Sequence, residues 1–242
     1  MGRAVLHIHS TKSDGRSTVA ESLERLHQIG DIDIVSFTDH DEIAAWDAAQ
    51  QWKDTHPSAS FSILWGCEVT VRGFKHLLCY FFHPPYPRVC FPAFRPLEET
   101  LQRISDAGGV VVAAHPDQWI VGVGLHTLEK ILPHRGIVGI ETHSPYVRDS
   151  SRLTAFARHH DLAAIGGSDA HFPQHLTKWL TDFPGSSLNE LECALHNQQT
   201  VPIAGPPAGS VPLSELFLQQ VQSLIVHPSH KMVRRLNREK RG

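Results

Sequence analysis

The four cysteines, Cys67, Cys79, Cys90 and Cys193, form no CxxC pair and no regular spacing. That excludes a disulfide framework or a zinc-finger scaffold and leaves core thiols in a reducing cytosol. No stretch approaches the run of about 18 apolar residues that a membrane-spanning helix needs. The N-terminus enters a strand pattern directly, with no apolar leader or small-residue cleavage site. An excess of one charge sign is missing as well: 22 Lys and Arg stand against 25 Asp and Glu, a net charge of -3. Such a balance exerts no global pull on nucleic acid or anionic lipid. Internal repeats and low-complexity tracts are absent. A cytoplasmic protein is expected, without membrane association and without stable binding of duplex nucleic acid; oligomeric state is not readable.

What is abundant is histidine, 18 in 242 residues, while the aromatic and charged fractions of 8% and 19% are ordinary. The length and the 41% apolar content fit one large α/β domain with a substantial core. Apolar runs alternate with amphipathic segments. Strands are expected at 4–9, 32–37, 61–71, 75–82, 110–114, 137–141 and 162–165, with a weaker one at 179–183. Helices are expected at about 18–30, 41–54, 97–107, 150–160 and 188–196. The first of these opens on Thr18-Val-Ala-Glu21, a capping-box pattern, and stops at Gly30. Arg72-Gly73 turns the third strand into the fourth, so this pair is a hairpin. The remaining alternation implies a mainly parallel sheet, and about seven units imply a barrel. Residues 1–204 form this unit. Residues 205–242 open on the linker composition Gly205-Pro-Pro-Ala-Gly-Ser210, continue with Leu213, Leu216, Phe217, Val221, Leu224 and Ile225 at helical spacing, and end in a basic tail from Lys231. A packing helix with a solvated end is expected there.

Metal-type ligands stand where the strands stop. His7 and His9 close the first strand, and Asp169 and His171 follow the strand at 162–165; i, i+2 spacing on extended chain sends both members of a pair to one face. Thr38-Asp39-His40 follows the second strand, Glu68 lies in the third, His76 in its hairpin partner, His115 ends the next, and Glu141 and His143 the one after. In a parallel barrel the C-terminal strand ends meet at one face, where such enzymes keep their chemistry. The scattered histidines then form a single metal cluster, with His76 and His143 competing for one ligand position. The other histidines fall on helices or loops, and His83 beside Pro84-Pro85 is undecided.

In order along the chain, His7-Ile-His9-Ser-Thr-Lys-Ser-Asp14-Gly, Thr38-Asp39-His40-Asp41, Gly66-Cys-Glu68, Lys75-His76-Leu-Leu, Ala114-His115-Pro116 and Gly167-Ser-Asp169-Ala-His171 resemble the motifs of the PHP (polymerase and histidinol phosphatase) family over about residues 4–204. The branch most resembled comprises stand-alone metal-dependent phosphoesterases acting on nucleotides and short oligonucleotides. The resemblance implies a distorted seven-stranded β/α barrel with three metal ions. His7, His9, Glu68 and Asp169 would hold the first. Glu68, bridging, would hold the second with His76 and His115, and Asp14, His40 and His171 would hold the third. A hairpin at Arg72-Gly73 would return His76 roughly opposite Val69, near Glu68. Where the nucleotide-acting members share an inserted segment after the hairpin, this chain has only a short Pro-rich stretch, 83–96.

Divalent Mn, Fe or Zn suits such ligands. A bridging water ionised to hydroxide, its pKa lowered to about 7, would attack phosphorus in line. The expected substrate is a phosphorylated small molecule, a nucleotide or a short oligonucleotide. His143 would act on the substrate or behind the ligands. Among Lys12, Arg16, Arg72, Lys75, Arg148 and Arg152, Arg148 is the first choice to grip a remote phosphate. The alternative is a metal-dependent amidohydrolase acting on C–N bonds; that class commonly bridges its metals through a strand-end lysine, and no strand end here carries one.

Overall fold

A computed structural model of the chain describes residues 1–132, 136–206 and 209–223. Among the described residues, ten strands form two five-stranded sheets. The first has the order β10-β9-β1-β2-β3, with β1 at Gly2–Val5, β2 at Ile34–Val35, β3 at Ser62–Ile63, β9 at Trp179–Phe183 and β10 at Val201–Ala204. The second is β4-β5-β6-β7-β8, at Trp65–Val71, Lys75–Phe81, Val110–Ala113, Ile137–His143 and Ala163–Gly166. Helices α1 (Val19–Ile29) and α2 (Ala44–Thr55) lie with the first sheet, and α3 (Leu97–Asp106), α4 (Leu125–Ile131) and α5 (Ser150–His159) with the second. One core is shared by both sheets and by α6 (Leu188–His196): Leu6, Ile34, Leu78, Tyr80, Val112, Ile165, Phe183 and Leu191 are all buried in it.

The single, mainly parallel sheet expected from the alternation is replaced by two mixed ones. The run 61–71 breaks at Leu64 and serves both: Ser62 and Ile63 pair with β2, whereas Trp65 onward pairs with β5. Strand β9 is not a parallel stave, since it runs antiparallel to both β1 and β10. Only a 3₁₀ turn at Pro173–His175 stands between β8 and β9. Without a crossover helix to carry the chain back, the next strand runs in the opposite direction. Helix α4 and strand β10 had no sequence expectation. Single parallel bridges, Ile8 to Ala170 and His40 to Glu68, join the two sheets.

Thr18 and Glu21 form the expected capping box on α1. The C-terminal helix α7 (Leu213–Val221) is present, and of its expected apolar stripe Leu216 and Val221 are half-buried. Leu213, Phe217 and Leu218 are exposed, whereas Gln219 is buried. Leu224, Ile225 and the basic tail lie outside the described residues. No helix among the described residues is long and apolar enough to cross a membrane.

Candidate metal centre

The two bridges between the sheets assemble the site. Ile8 stands between His7 and His9, and Ala170 between Asp169 and His171, so a parallel bridge between the two central residues faces all four ligand side chains the same way. His9 N–H donates to the Ala170 carbonyl at 3.0 Å and Ala170 N–H to that of His7 at 3.2 Å. The second bridge sets His40 beside Glu68. In the hairpin, His76 pairs with Thr70 rather than with Val69. The correction of one residue matters, because Thr70 shares a face with Glu68 and Val69 does not. His76 Nδ1 consequently lies 3.2 Å from Glu68 Oε1.

All nine residues read as ligands converge. His9 Nε2 is 3.1 Å from His7 Nε2, 3.2 Å from Glu68 Oε2 and 3.1 Å from Asp169 Oδ1. His7 Nε2 is 3.3 Å from Glu68 Oε2 and 3.5 Å from Asp169 Oδ1. Glu68 turns its other oxygen, Oε1, to His76 and to His115 Nε2 at 3.3 Å. Asp14 Oδ2 meets His171 Nε2 at 3.2 Å and His40 Nε2 at 3.8 Å. Three groups close enough to share an ion are His7, His9 and Asp169; His40, Glu68 and His76; and His9, Asp14, His40 and His171. Compared with the assignment implied by the resemblance, His9 and His40 each stand between two groups.

These residues fit metal ions. Ligand atoms about 2.1 Å from a tetrahedral cation are separated by about 3.4 Å, and the spacings of 3.1–3.5 Å around His9, His7 and Asp169 match that edge. His9 Nδ1 is buried without a hydrogen-bond partner and lies 3.6 Å from Asp14 Oδ1. His115 Nδ1 is likewise orphaned. Buried polar atoms left unbonded are costly and call for an explanation such as an ion.

Electrostatics point the same way. Burial alone would raise the carboxyls of Asp14, Glu68 and Asp169, yet the surrounding imidazoles outweigh it and hold all three well below the carboxylate range. Burial pushes the His7 and His9 imidazoles down, but the acids overcome it, raising His7 well above the usual value and His9 to about 10. His40 goes the other way, driven down by burial and further by the charges of His9 and His76. Without cations, protons on His7 and His9 compensate the buried acids.

Sequence reading named Glu141 and Asp39 at strand ends but not their part in holding the candidate ligands. Glu141 is fully buried; its Oε1 lies 2.8 Å from His7 Nδ1, and its Oε2 accepts the His115 N–H at 2.7 Å. It thus aims one ligand and anchors another. Asp39 accepts Ser10 N–H at 2.8 Å, Ser10 Oγ–H at 2.7 Å and the Ser13 hydroxyl, which pins the loop that presents Asp14. Gly167 has no side chain because a Cβ there would sit 1.5 Å from Glu141 Oε1. His115 (φ 27°) and Asp169 (φ 44°) adopt left-handed backbone, which non-glycine residues hold chiefly where function demands it.

A cavity of about 100 Å³ opens on the centre, lined by His40, Glu68, His76, His115, Asp169 and His171 on one side and by Gln118, Ile120, Val121, Tyr146 and Ser223 on the other. His143 and Arg148 are not in that lining. The His143 ring packs on Trp179 at 4.9 Å, and Arg148 is exposed, its backbone N–H donating to Asp117 Oδ2 at 2.8 Å. His83, left open by the sequence, lies 2.7 Å from Glu192.

Residues 151–200 match the PHP-associated family. A two-domain protein from Bacteroides vulgatus, containing a predicted PHP-like metal-dependent phosphoesterase, superposes with a TM-score of 0.68 at 15% identity, over 91% of this chain and 69% of that one. The chain shares the fold of that PHP-like protein. Endonuclease Q, in complex with a 27-mer duplex carrying an abasic lesion at its active site, superposes with a TM-score of 0.60 at 16% identity, over 80% of this chain and 56% of that one. An amidohydrolase from Chromobacterium violaceum reaches 0.57 at 18% identity, over 89% and 96%. No curated protein matches the sequence.

Proposed function

We propose that the chain is a metal-dependent phosphoesterase that works with three divalent ions, Mn, Fe or Zn, on a small phosphorylated metabolite, a nucleotide or the end of a short oligonucleotide. The observation that carries this reading is the convergence of eight ligand-type side chains into three overlapping groups below one cavity, with His115 joining them through Glu68. His7, His9, Glu68 and Asp169 would hold one ion, Glu68, His76 and His115 a second, and Asp14, His40 and His171 a third. Bound cations supply Lewis acidity and a nucleophile ionised at neutral pH.

The chain's own residues position and enclose. Glu141 keeps His7 Nε2 turned inward, and Asp39 keeps Asp14 in place. Gln118 and Tyr146 line the cavity, with Gln118 Nε2 donating to the Tyr146 carbonyl at 2.6 Å. This geometry favours them over His143 and Arg148 as substrate contacts. Ile120 and Val121 give the wall an apolar side for the organic part of the ester. Closure of β1, β2, β4, β5, β6, β7 and β8 into a seven-membered ring is supported by the two bridges between the sheets. On this reading residues 1–204 are the catalytic unit and 205–242 an appended segment.

Amide hydrolysis is the second reading, favoured by the Chromobacterium violaceum neighbour. Against it, no lysine is among the described residues lining the cavity. The duplex held by Endonuclease Q bears against the expectation that duplexes are not bound, although this chain spans 56% of that protein. Turnover should be compared on p-nitrophenyl phosphate, bis-p-nitrophenyl phosphate, single-stranded and duplex oligonucleotides and an amide panel, with metal content measured alongside. Metal-dependent release of p-nitrophenol is expected. Activity on amides alone would overturn the reading, and cleavage confined to duplexes would overturn its substrate class.

A further inference from the structure

Helix α7 is built inside out. Leu213, Phe217 and Leu218 face solvent at 84%, 69% and 58% exposure, whereas Gln219 is 2% exposed. Leu216 and Val221 are half-buried, and polar contacts anchor its C-terminal end. Ser223, just past its end, donates a short hydrogen bond to Asp14 Oδ2 and lies 3.5 Å from His171 Nε2. Gln219 Nε2 donates to Ser223 Oγ at 2.9 Å and reaches the same Asp14 oxygen at 3.5 Å, while Gln219 Oε1 accepts from Arg16 Nε at 3.0 Å. Ser223 also forms part of the cavity wall.

A helix attached by apolar burial is expensive to detach; one attached by hydrogen bonds that water can replace is not. The Asp14 oxygen that takes the Ser223 and Gln219 hydrogen bonds is also the one facing His171 and His40. A cation about 2.1 Å from both Asp14 Oδ2 and His171 Nε2 would crowd the Ser223 hydroxyl seated against them. Helix and cation therefore compete for the same place.

We propose that α7 is a detachable plug of the Asp14–His171 subsite, displaced when a cation loads there and seated again when the subsite empties. The proposal rests on Asp14 and His171 being ligands, as in the phosphoesterase reading. It adds a function for the appended segment: by moving, α7 uncovers the side of the cavity that Ser223 closes. The solvent-facing apolar stripe agrees with an element that is not fixed in a core.

Hydrogen exchange of the full-length protein tests this directly, comparing amides of residues 213–223 in the chelator-treated state and after loading with Mn²⁺ alone. Loading should speed their exchange by about tenfold, the scale of losing one hydrogen bond to a charged group. Unchanged or slower exchange would overturn the plug. The full-length Gln219→Ala/Ser223→Ala variant, freed of the competitor, should bind Mn²⁺ at its weakest site about tenfold more tightly. Equal or weaker binding would make these two residues supports of the metal site, and would also overturn the proposal. Failure of the phosphoesterase reading is separable: it would appear as absence of p-nitrophenyl phosphate turnover by both proteins, with both metal measurements still standing.

Discussion

At the scale of single residues, the acids behind the ligands matter as much as the ligands. Asp169→Asn and His115→Ala each delete a group with no substitute nearby, so both should abolish turnover and lower metal content while the circular dichroism spectrum stays unchanged. Wild-type metal content in either variant would remove that residue from the site. Glu141→Gln should behave differently. The amide can still accept from His115 N–H, but it no longer offers a negative charge to His7, and losing such a partner typically weakens metal binding by about 10–100-fold. Activity should accordingly be low at limiting metal and recover in excess metal, which a titration of rate against metal concentration would reveal. His7, His9, His40, His115, Asp169 and His171 were legible as candidates because each closes an apolar run or sits two residues from another, whereas Asp14 came from the motif resemblance alone. The part of Glu141 was not legible, since an acid two residues before His143 reads as one more ligand pair. Only the fold shows that it meets His7, 134 positions away in sequence.

At the scale of elements, the hairpin settles which histidine joins Glu68. Register decides the face, and the pairing of Thr70 with His76 puts the imidazole beside the carboxylate. The end of β7 instead leaves His143 half-buried against Trp179, where burial lowers its pKa. His76→Ala should therefore release metal, whereas His143→Ala should retain it, as metal analysis after dialysis would establish. A reversed result would exchange their roles. The strands and helices that the sequence delineated were those with strong periodicity and turn signals, such as the β4–β5 hairpin and α1 with its capping box. Two-residue β2 and β3 and the antiparallel direction of β9 were not legible, because pairing partners decide them and local pattern does not. The stripe of α7 misled for a related reason. Helical spacing of apolar residues states that a face exists, and only tertiary contacts state whether anything covers it.

At the scale of the whole molecule, the centre ties two sheets together, so ion binding and folding are linked. His7, His9, Asp14 and His40 extend from the first sheet, and Glu68, His76 and His115 from the second. Ions that bind only the assembled site stabilise it by mass action, about 2.7 kcal/mol for one ion at a hundredfold excess over its Kd. The metal-free protein has a distinct pH dependence. Its His9 imidazole titrates at about 10, above the value of about 6.5 in an unfolded chain, so that contribution is complete below about 6.5 and is lost as pH rises toward 10. Asp14, Glu68 and Asp169 are held below their unfolded values near 4, so their contribution is present above about 4 and is lost as pH falls further. His40, held low, costs stability as pH falls below about 6.5, so chelator-treated protein should melt highest near pH 6.5 and lose stability on the alkaline side. Metal binding requires deprotonated imidazoles, so the loaded protein should gain most over the metal-free one above pH 7, with protons released on loading. Melting temperatures from pH 4 to 10 with and without metal, and calorimetry in two buffers of different ionisation enthalpy, measure both effects. A metal-free melting temperature that climbs from pH 6.5 to 9, or loading that releases no protons, would mean that the buried histidines are already neutral before the ions arrive.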